Sequence, residues 1–335
     1  MTKTDTNEPN PEKIMETAFA YAATRVLVSG VDLEVFTHIA NGNHTSEDIA
    51  KAAKASQRGT EILLNSLAAL NFITKSNGTY VLNPLSEKFL VKGTPAYFGD
   101  FVKHIDSLWE PWGDLTRVVK TGKPFQRVDK EQGVEFFQKL VSQLFPMSYP
   151  CAKAAAEILG VGRTWKGLNV LDVAAGSGAW GIAFAQNDAD TRVTALDWPN
   201  VLEVTKKFVD KFKLRQRFSY LPGDLREVDF GNGYDLVILG HICHSEGAEK
   251  TRVLLSRAFG ALKQGGRLLI ADMIPDDERA TSVFPLLFAV NMLVNTTEGN
   301  TFTMAEYRKW LADAGFCDIT AIDAHGPSPL IVAMK

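Results

Sequence analysis

The sequence predicts a mixed α/β protein, a doubly wound Rossmann-like domain preceded by a helical domain with the outline of a winged helix. Three observations carry that expectation. Beyond Lys166, NVLDVAA, RVTALDW, FSYLPGD, YDLVILGHI and GRLLIADMI are short apolar runs separated by helical stretches, the pattern of a parallel sheet covered on both faces. Residues 44–90 read as helix, helix, hairpin. The composition, 45% hydrophobic and 22% charged over 335 residues, suits about two globular domains with a sizeable core.

Taken in order, the first ten residues, MTKTDTNEPN, are polar and read as a loose tail that lacks the apolar centre of a secretory signal. From Glu12 to Arg25, Ile14, Met15, Ala18, Phe19 and Ala22 recur at helical spacing, an apolar stripe that has to face something. Val31 to Ile39 reads as a further helix that stops at Asn41-Gly42. Thr45 and Asp48 open a capping-box-like start for TSEDIAKAAK, and a second helix from Arg58 to Leu70 sets Ile62, Leu63, Leu67 and Leu70 on one side. Asn77-Gly78 divides FITKSNGTYVLN into two short strands, because both residues tolerate the positive φ of a tight hairpin. The candidate recognition helix, RGTEILLNSLAALNF, has one arginine and no lysine, too few cations to anchor phosphates. The scaffold therefore reads as a dimerisation or lid domain rather than a DNA reader.

Residues 95–160 are expected to be helical and are rich in aromatics, Trp109 and Phe137 among them. Most of these read as core, with a few walling a flat apolar pocket. After the alternating strands, a helix from Met304 to Ala314 and strands in ITAIDAH and PLIVAMK complete the chain. The expected domains are a winged helix over 1–95, a helical linker and lid over 96–160, and the Rossmann-like domain over 161–335.

A net charge of -3 gives no broad basic field, which disfavours nucleic acid as a partner. Cys151, Cys243 and Cys317 are odd in number and lack metal-type spacing, so neither a disulfide framework nor a metal site is expected, and a reducing cytoplasm fits. The longest apolar run, Phe284 to Val294, is broken by Pro285 and Asn291 and falls short of the roughly 20 residues of a membrane helix.

In a doubly wound sheet the ligand sits beyond the carboxyl ends of the strands, where the strand order reverses. After the first strand comes Ala174-Ala175-Gly176-Ser177-Gly178, whose glycines let the backbone turn tightly and approach a ligand before the next helix starts. Asp197 ends the second strand about twenty residues on, the spacing of a carboxylate that grips two ribose hydroxyls. A plain tight loop or a dinucleotide site would share that turn. Gly223-Asp224-Leu225 after the third strand separates the readings, since it sets a carboxylate and an aliphatic side chain where an adenine amino group and face would be met. An acid inside the first strand, Asp172, and only two close glycines point the same way.

In LDVAAGSG, ALDWPNV, PGDL, YDLVILGHICHS and GGRLLIADMI, in that order, the chain resembles the S-adenosylmethionine-dependent O-methyltransferases that include plant caffeic acid O-methyltransferases and bacterial polyketide and hydroxyneurosporene methyltransferases. The resemblance spans nearly the full length and implies a class I methyltransferase domain behind a winged-helix dimerisation domain. It implies that Gly176 lies against the cofactor, Asp197 binds the ribose, and Asp224 with Leu225 frames the adenine. Asp172, Gly178, Trp198 and Gly240 complete the implied cofactor-binding set, although plant members carry a lysine at the position of Gly240. A homodimer is expected, because the N-terminal apolar helices have more face to bury than one catalytic domain covers.

A phenol has a pKa near 10, so moving a methyl group to its oxygen calls for a general base. His244, in ICHSEGAEKT after the fourth strand, has the place of the family's catalytic histidine, and His241 is its rival. Asp272, at the end of the fifth strand, matches the first histidine-orienting carboxylate, with aspartate where plant members have glutamate. The second such carboxylate falls at Thr301, which is no acid, and Glu298 is its nearest substitute. Trp109, Phe137, Met147, Phe288, Asn291 and Met292 are candidate acceptor walls by location. The resulting expectation is methyl transfer to a hydroxyl of a small aromatic metabolite. The alternatives are a carbon or nitrogen methyltransferase, a non-methylating enzyme on the same scaffold, and a winged-helix regulator that senses a ligand.

Overall fold

The computed structural model of the chain describes residues 10–127 and 134–335, the side chains at 134–137 and 139 excepted. Its contacts divide the chain into two units, residues 1–108 and 109–335.

The first unit runs α1 (Glu12–Asp32), α2 (Val35–Ala40), α3 (Ser46–Ala52), α4 (Gln57–Ala69), the strands β1 (Ile73–Ser76) and β2 (Thr79–Leu82), α5 (Pro84–Phe89) and α6 (Gly99–Ser107). Thr45 caps α3 by accepting from the Asp48 amide, and Ser56 caps α4 by accepting from Gly59. β1 and β2 pair antiparallel around Asn77 (φ 47°) and Gly78 (φ 79°). The helical boundary near residue 31 differs from expectation. α1 continues to Asp32, and the chain turns at Glu34 (φ 50°), because Gly30 lets α1 lie directly on α4: a Cβ there would stand 3.0 Å from Leu67 Cδ1. Val28, Val31, Phe36, Ile49, Leu64, Leu67 and Tyr80 fill this unit's core. Ile14 and Phe19, on the opposite stretch of α1, are 71% and 62% exposed.

The second unit begins with α7 (Trp109–Gly113), α8 (Leu115–Thr121) and α9 (Val134–Ile158). The alternating part follows: β3 (Asn169–Val173), α10 (Ala179–Asn187), β4 (Arg192–Asp197), α11 (Pro199–Lys211), β5 (Phe218–Pro222), β6 (Tyr234–Gly240), α12 (Cys243–Glu246), α13 (Ala248–Ala261) and β7 (Leu262–Ala271). α14 (Val283–Asn295), α15 (Met304–Asp313), β8 (Cys317–Ile322) and β9 (Leu330–Met334) close the chain. The seven strands are ordered β5-β4-β3-β6-β7-β9-β8, parallel from β5 to β7, with β9 antiparallel to β7 and to β8. The strand order reverses between β3 and β6.

Side chains alternate between two cores, as a sheet covered on both faces requires. Leu236 and Ile238 of β6 and Leu269 of β7 join Ala183, Phe184, Leu202 and Val209 from α10 and α11 on one face. Val237, Leu239, Leu268 and Ile270 join Leu254, Leu255, Ala258 and Leu311 from α13 and α15 on the other. Among the described residues no helix is long and apolar enough to cross a membrane.

Candidate active site

The turn after β3 has Ala174, Gly176 and Gly178 all at positive φ (54°, 58° and 75°). Gly178 is the residue before α10, and a Cβ on it would lie 2.9 Å from Thr205 Cγ2; the Thr205 hydroxyl in turn donates to the Gly176 carbonyl at 2.6 Å. The turn is thus held from α11. Asp172, inside β3, is buried and accepts the Gly181 amide at 2.9 Å, so it anchors the first turn of α10. Burial pushes its carboxyl up to about 7, against the pull of that amide.

Asp197 reaches back from the end of β4 to the same turn. One oxygen accepts the Gly176 amide at 2.8 Å and the other the Trp198 amide at 2.7 Å. Burial raises this carboxyl to about 6, and the two amides restrain the rise. A carboxylate offers about four acceptor positions, so two remain after these bonds, one on each oxygen. Trp198 is the residue before α11. Asp224, after β5, accepts the backbone amide of Arg226 at 2.8 Å and lies 3.5 Å from its guanidinium, while Leu225 packs against the second core. Arg226 also makes a two-pronged ion pair with the buried Glu246 of α12, at 2.8 and 3.0 Å.

Gly240 ends β6, and a Cβ there would come within 2.6 Å of the Trp180 indole, so the glycine makes room for that ring. His241 follows at φ 61°, donates its amide to the Ala271 carbonyl at 2.7 Å and stacks obliquely on Trp180 with centroids 6.2 Å apart. Burial pulls the His241 imidazole down to about 4, so it is neutral at pH 7. Among the described residues, Trp180 Nε1 and His241 Nδ1 are two of the few buried polar side-chain atoms without a partner, and both flank the reversal between β3 and β6.

His244 lies in the single turn of α12. Its Nδ1 is 2.6 Å from Asp272 Oδ1, and its amide donates to Asp272 Oδ2 at 3.0 Å. Asp272, one residue past β7, also accepts the Met273 amide at 2.8 Å and the Tyr307 hydroxyl at 2.9 Å. Burial works to raise this carboxyl, but the His244 and His241 imidazoles and the Met273 amide outweigh it and hold it below the usual carboxylate range. With Nδ1 committed to Asp272, Nε2 is the ring nitrogen left for an acceptor hydroxyl. The Phe288 and His244 rings meet in a T-shaped contact, with centroids 4.9 Å apart and planes at 84°.

The structure therefore brings His244, Asp272 and Phe288 together, and Asp197 onto the glycine turn. Asn291 and Met292 stand further along α14, the first bonded to Trp112 and the second buried. Trp109 is 50% exposed, Met147 is half-buried in α9, and Phe137 lies outside the described side chains. Glu298 pairs with Lys250 at 3.1 Å on the surface, and among the described residues the Thr301 hydroxyl is buried without a partner. What this stretch gives His244 is backbone: the Asn300 amide donates to the His244 carbonyl at 2.8 Å, and a Cβ on Gly299 would stand 2.8 Å from that oxygen.

Sequence reasoning missed Tyr307, Thr205, and Arg226 with Glu246. Tyr307 sits in the apolar stripe of α15 with Trp310 and Leu311 and reads there as core; its hydroxyl was the one available signal, because a buried tyrosine needs a partner for its polar tip.

Comparison with known proteins agrees with this architecture. The O-methyltransferase domain family matches residues 112–317, and the O-methyltransferase dimerisation domain family matches residues 15–92. The 3-hydroxy-5-methyl-1-naphthoate 3-O-methyltransferase of Streptomyces sahachiroi is 27% identical over 326 residues, covering 95% of this chain and 92% of that protein. A solved structure of a candidate O-methyltransferase from Nostoc punctiforme PCC 73102 aligns at a TM-score of 0.89 and 30% identity, covering 98% of this chain and 100% of that one. Human N-acetylserotonin methyltransferase, solved in complex with S-adenosylmethionine, shares the fold at a TM-score of 0.85 and 22% identity, with 99% of each chain covered. Because the O-methyltransferase domain family matches more than half of the chain, with the family's dimerisation domain ahead of it, the chain belongs to the O-methyltransferase family.

Proposed function

We propose that the protein transfers the methyl group of S-adenosylmethionine to a hydroxyl of a small aromatic metabolite, with His244 as the general base. The observation that carries this reading is the His244–Asp272 pair at the carboxyl edge of adjacent strands, beside a glycine turn pinned by Asp197.

The residues present fit the cofactor. Asp197 keeps one acceptor position on each oxygen, the arrangement a vicinal diol needs, and the partnerless Trp180 Nε1 and His241 Nδ1 mark polar ground at the reversal of strand order. Asp197 would hold the ribose, Gly176 and Gly178 would let the backbone approach, and Asp224 with Leu225 would meet the adenine. When bound, S-adenosylmethionine supplies an electrophilic methyl group. Asp272 fixes the imidazole tautomer with the proton on Nδ1, so Nε2 takes the hydroxyl proton and the resulting imidazolium is stabilised by the ionised Asp272.

Asp272 is itself oriented by Tyr307, which stands in for the carboxylate missing at Thr301 by acting on the acid instead of on the histidine. Tyr307→Phe is expected to lower kcat roughly tenfold, the loss of one hydrogen bond to a charged group. With a donor removed, Asp272 attracts the imidazolium more strongly, so the acid limb of the pH–rate profile should move to higher pH. A lower kcat with an unmoved profile would assign Tyr307 to packing alone.

Residues 1–95 are assigned to dimerisation, 96–160 to a linker and lid, and 161–335 to catalysis. The exposed Ile14 and Phe19 of α1 support a homodimer, since an apolar stripe of that size calls for cover.

The test is a panel of phenols and naphthols incubated with methyl-labelled S-adenosylmethionine, with products read by mass and by the position of the label. Label on oxygen supports the proposal. Label on carbon or nitrogen, or label transfer to none of the panel together with salt-dependent DNA binding, overturns it.

A further inference from the structure

The parallel strands are joined unevenly. β3 reaches β4 through α10, β4 reaches β5 through α11, and β6 reaches β7 through α12 and α13. Residues 223–233 join β5 to β6 without a helix, the one such parallel crossover among the described residues. On the face that α13 covers at β6 and β7, the beginnings of β3, β4 and β5 are polar. Asn169 stands beside Arg192 in the sheet, and Thr194 stands between Leu171 of the second core and Ser219. These strand beginnings wall a cavity of about 310 Å³, bounded also by Gln216, Arg217 and, from the helix-free crossover, Asn232. It lies at the edge of the sheet opposite the glycine turn. Arg192 and Asp197 begin and end β4, which at about 3.3 Å per residue sets them roughly 16 Å apart.

The hydrogen-bonding groups of this cavity are unspent. The side chains of Asn169, Arg192, Gln216, Ser219 and Asn232 make no hydrogen bond or ion pair among the described residues. Arg217 is fixed through Nη1, which donates to the Ala185 carbonyl and, at 2.9 Å, to the Asp188 carbonyl, while its Nε and Nη2 make no such bond. None of the lining residues is acidic. The acid next along the chain from Tyr234, Asp235, is bonded to Lys263 at 3.0 Å and to the Asn169 amide at 2.8 Å. Two guanidiniums that stay charged at every physiological pH therefore share one cavity with no carboxylate in its wall. A guanidinium offers a planar fork of donors that matches the oxygens of a carboxylate or phosphate, and amide and hydroxyl side chains suit the hydroxyls of a ligand. The volume is at the small end of the range for small-molecule sites.

We propose that this cavity is a second binding site, for a small hydroxylated anion whose phosphate or carboxylate is held by Arg192 and Arg217 and whose hydroxyls meet Asn169, Gln216, Ser219 and Asn232. The site is independent of the reading of His244 as the base, and its ligand takes no part in methyl transfer.

The test is calorimetry at physiological salt on the full-length protein saturated with S-adenosylhomocysteine, so that the opposite edge of the sheet is already filled. The probes are ribose 5-phosphate, ribonate and ribose. At least one of the two anions is expected to bind, and to bind tenfold or more tightly than ribose; whichever it is identifies the phosphate or the carboxylate as the group recognised. Arg192→Leu should weaken that anion roughly tenfold, the loss of a charge-assisted hydrogen bond, with the melting temperature unchanged because Arg192 is exposed and has no protein partner to strand. Ser219→Glu keeps both arginines and puts a carboxylate into the cavity, so it should remove anion binding as well and serves if the leucine variant does not fold. Binding of neither anion, binding no tighter than that of ribose, or anion affinity retained in a folded variant overturns the proposal.

Discussion

His244→Ala is expected to lower kcat by roughly 10²- to 10⁴-fold, the range a positioned general base contributes, while the affinity for S-adenosylhomocysteine stays as in the native protein. The separation follows from the structure. His244 is bonded to Asp272 and meets Phe288, whereas the glycine turn is held by Asp197 and Thr205, and among the described residues no hydrogen bond joins that turn to the imidazole. Calorimetry with S-adenosylhomocysteine and single-turnover kinetics with any acceptor found in the panel would check the two halves. Unchanged turnover would leave alignment, not proton removal, as the enzyme's contribution. A parallel loss of cofactor affinity would mean instead that the α12 turn supports the cofactor site.

The second large effect concerns stability. Arg226→Met should lower the melting temperature on the order of 10 °C, because it strands the Glu246 carboxylate, whose side chain is 4% exposed, without its two-pronged partner. Removing one member of a buried pair costs about 3–5 kcal/mol, and each kcal/mol is worth about 2–4 °C in a unit of this size. The double replacement Arg226→Met with Glu246→Met should recover most of the loss, since an apolar pair of similar volume needs no compensation. Differential scanning calorimetry of both variants decides it. Equal melting of the single variant and the native protein would show that Glu246 finds water or another donor.

Much of this architecture was legible in the residues. The five alternating strands were readable because a sheet covered on both faces needs apolar residues at every position, and β6, Tyr234–Gly240, shows that requirement in almost every residue. The glycine turn and Asp197 were readable because tight backbone and a strand-end acid leave local signatures. The end of α1 at Asp32 was not, since what Gly30 does, making room for Leu67 of α4, depends on a packing partner far along the chain. Nor was the Arg226–Glu246 pair, whose partners stand twenty residues apart on a loop and a helix that only the packed sheet brings together. Tyr307 was hidden for a related reason: its ring follows the helical apolar stripe, and what its hydroxyl does depends on a strand end 35 residues away.

The backbone bond between Asn300 and His244 bears on how this enzyme could change its substrate. The stretch that follows α14 is fastened to the His244 carbonyl, so shifting α14 would drag the imidazole with it. α7 is itself tied to α14, through the bond from Trp112 Nε1 to Asn291 Oδ1. Lineages that acquire new acceptors at undiminished rate would then be expected to hold the far end of α14 fixed.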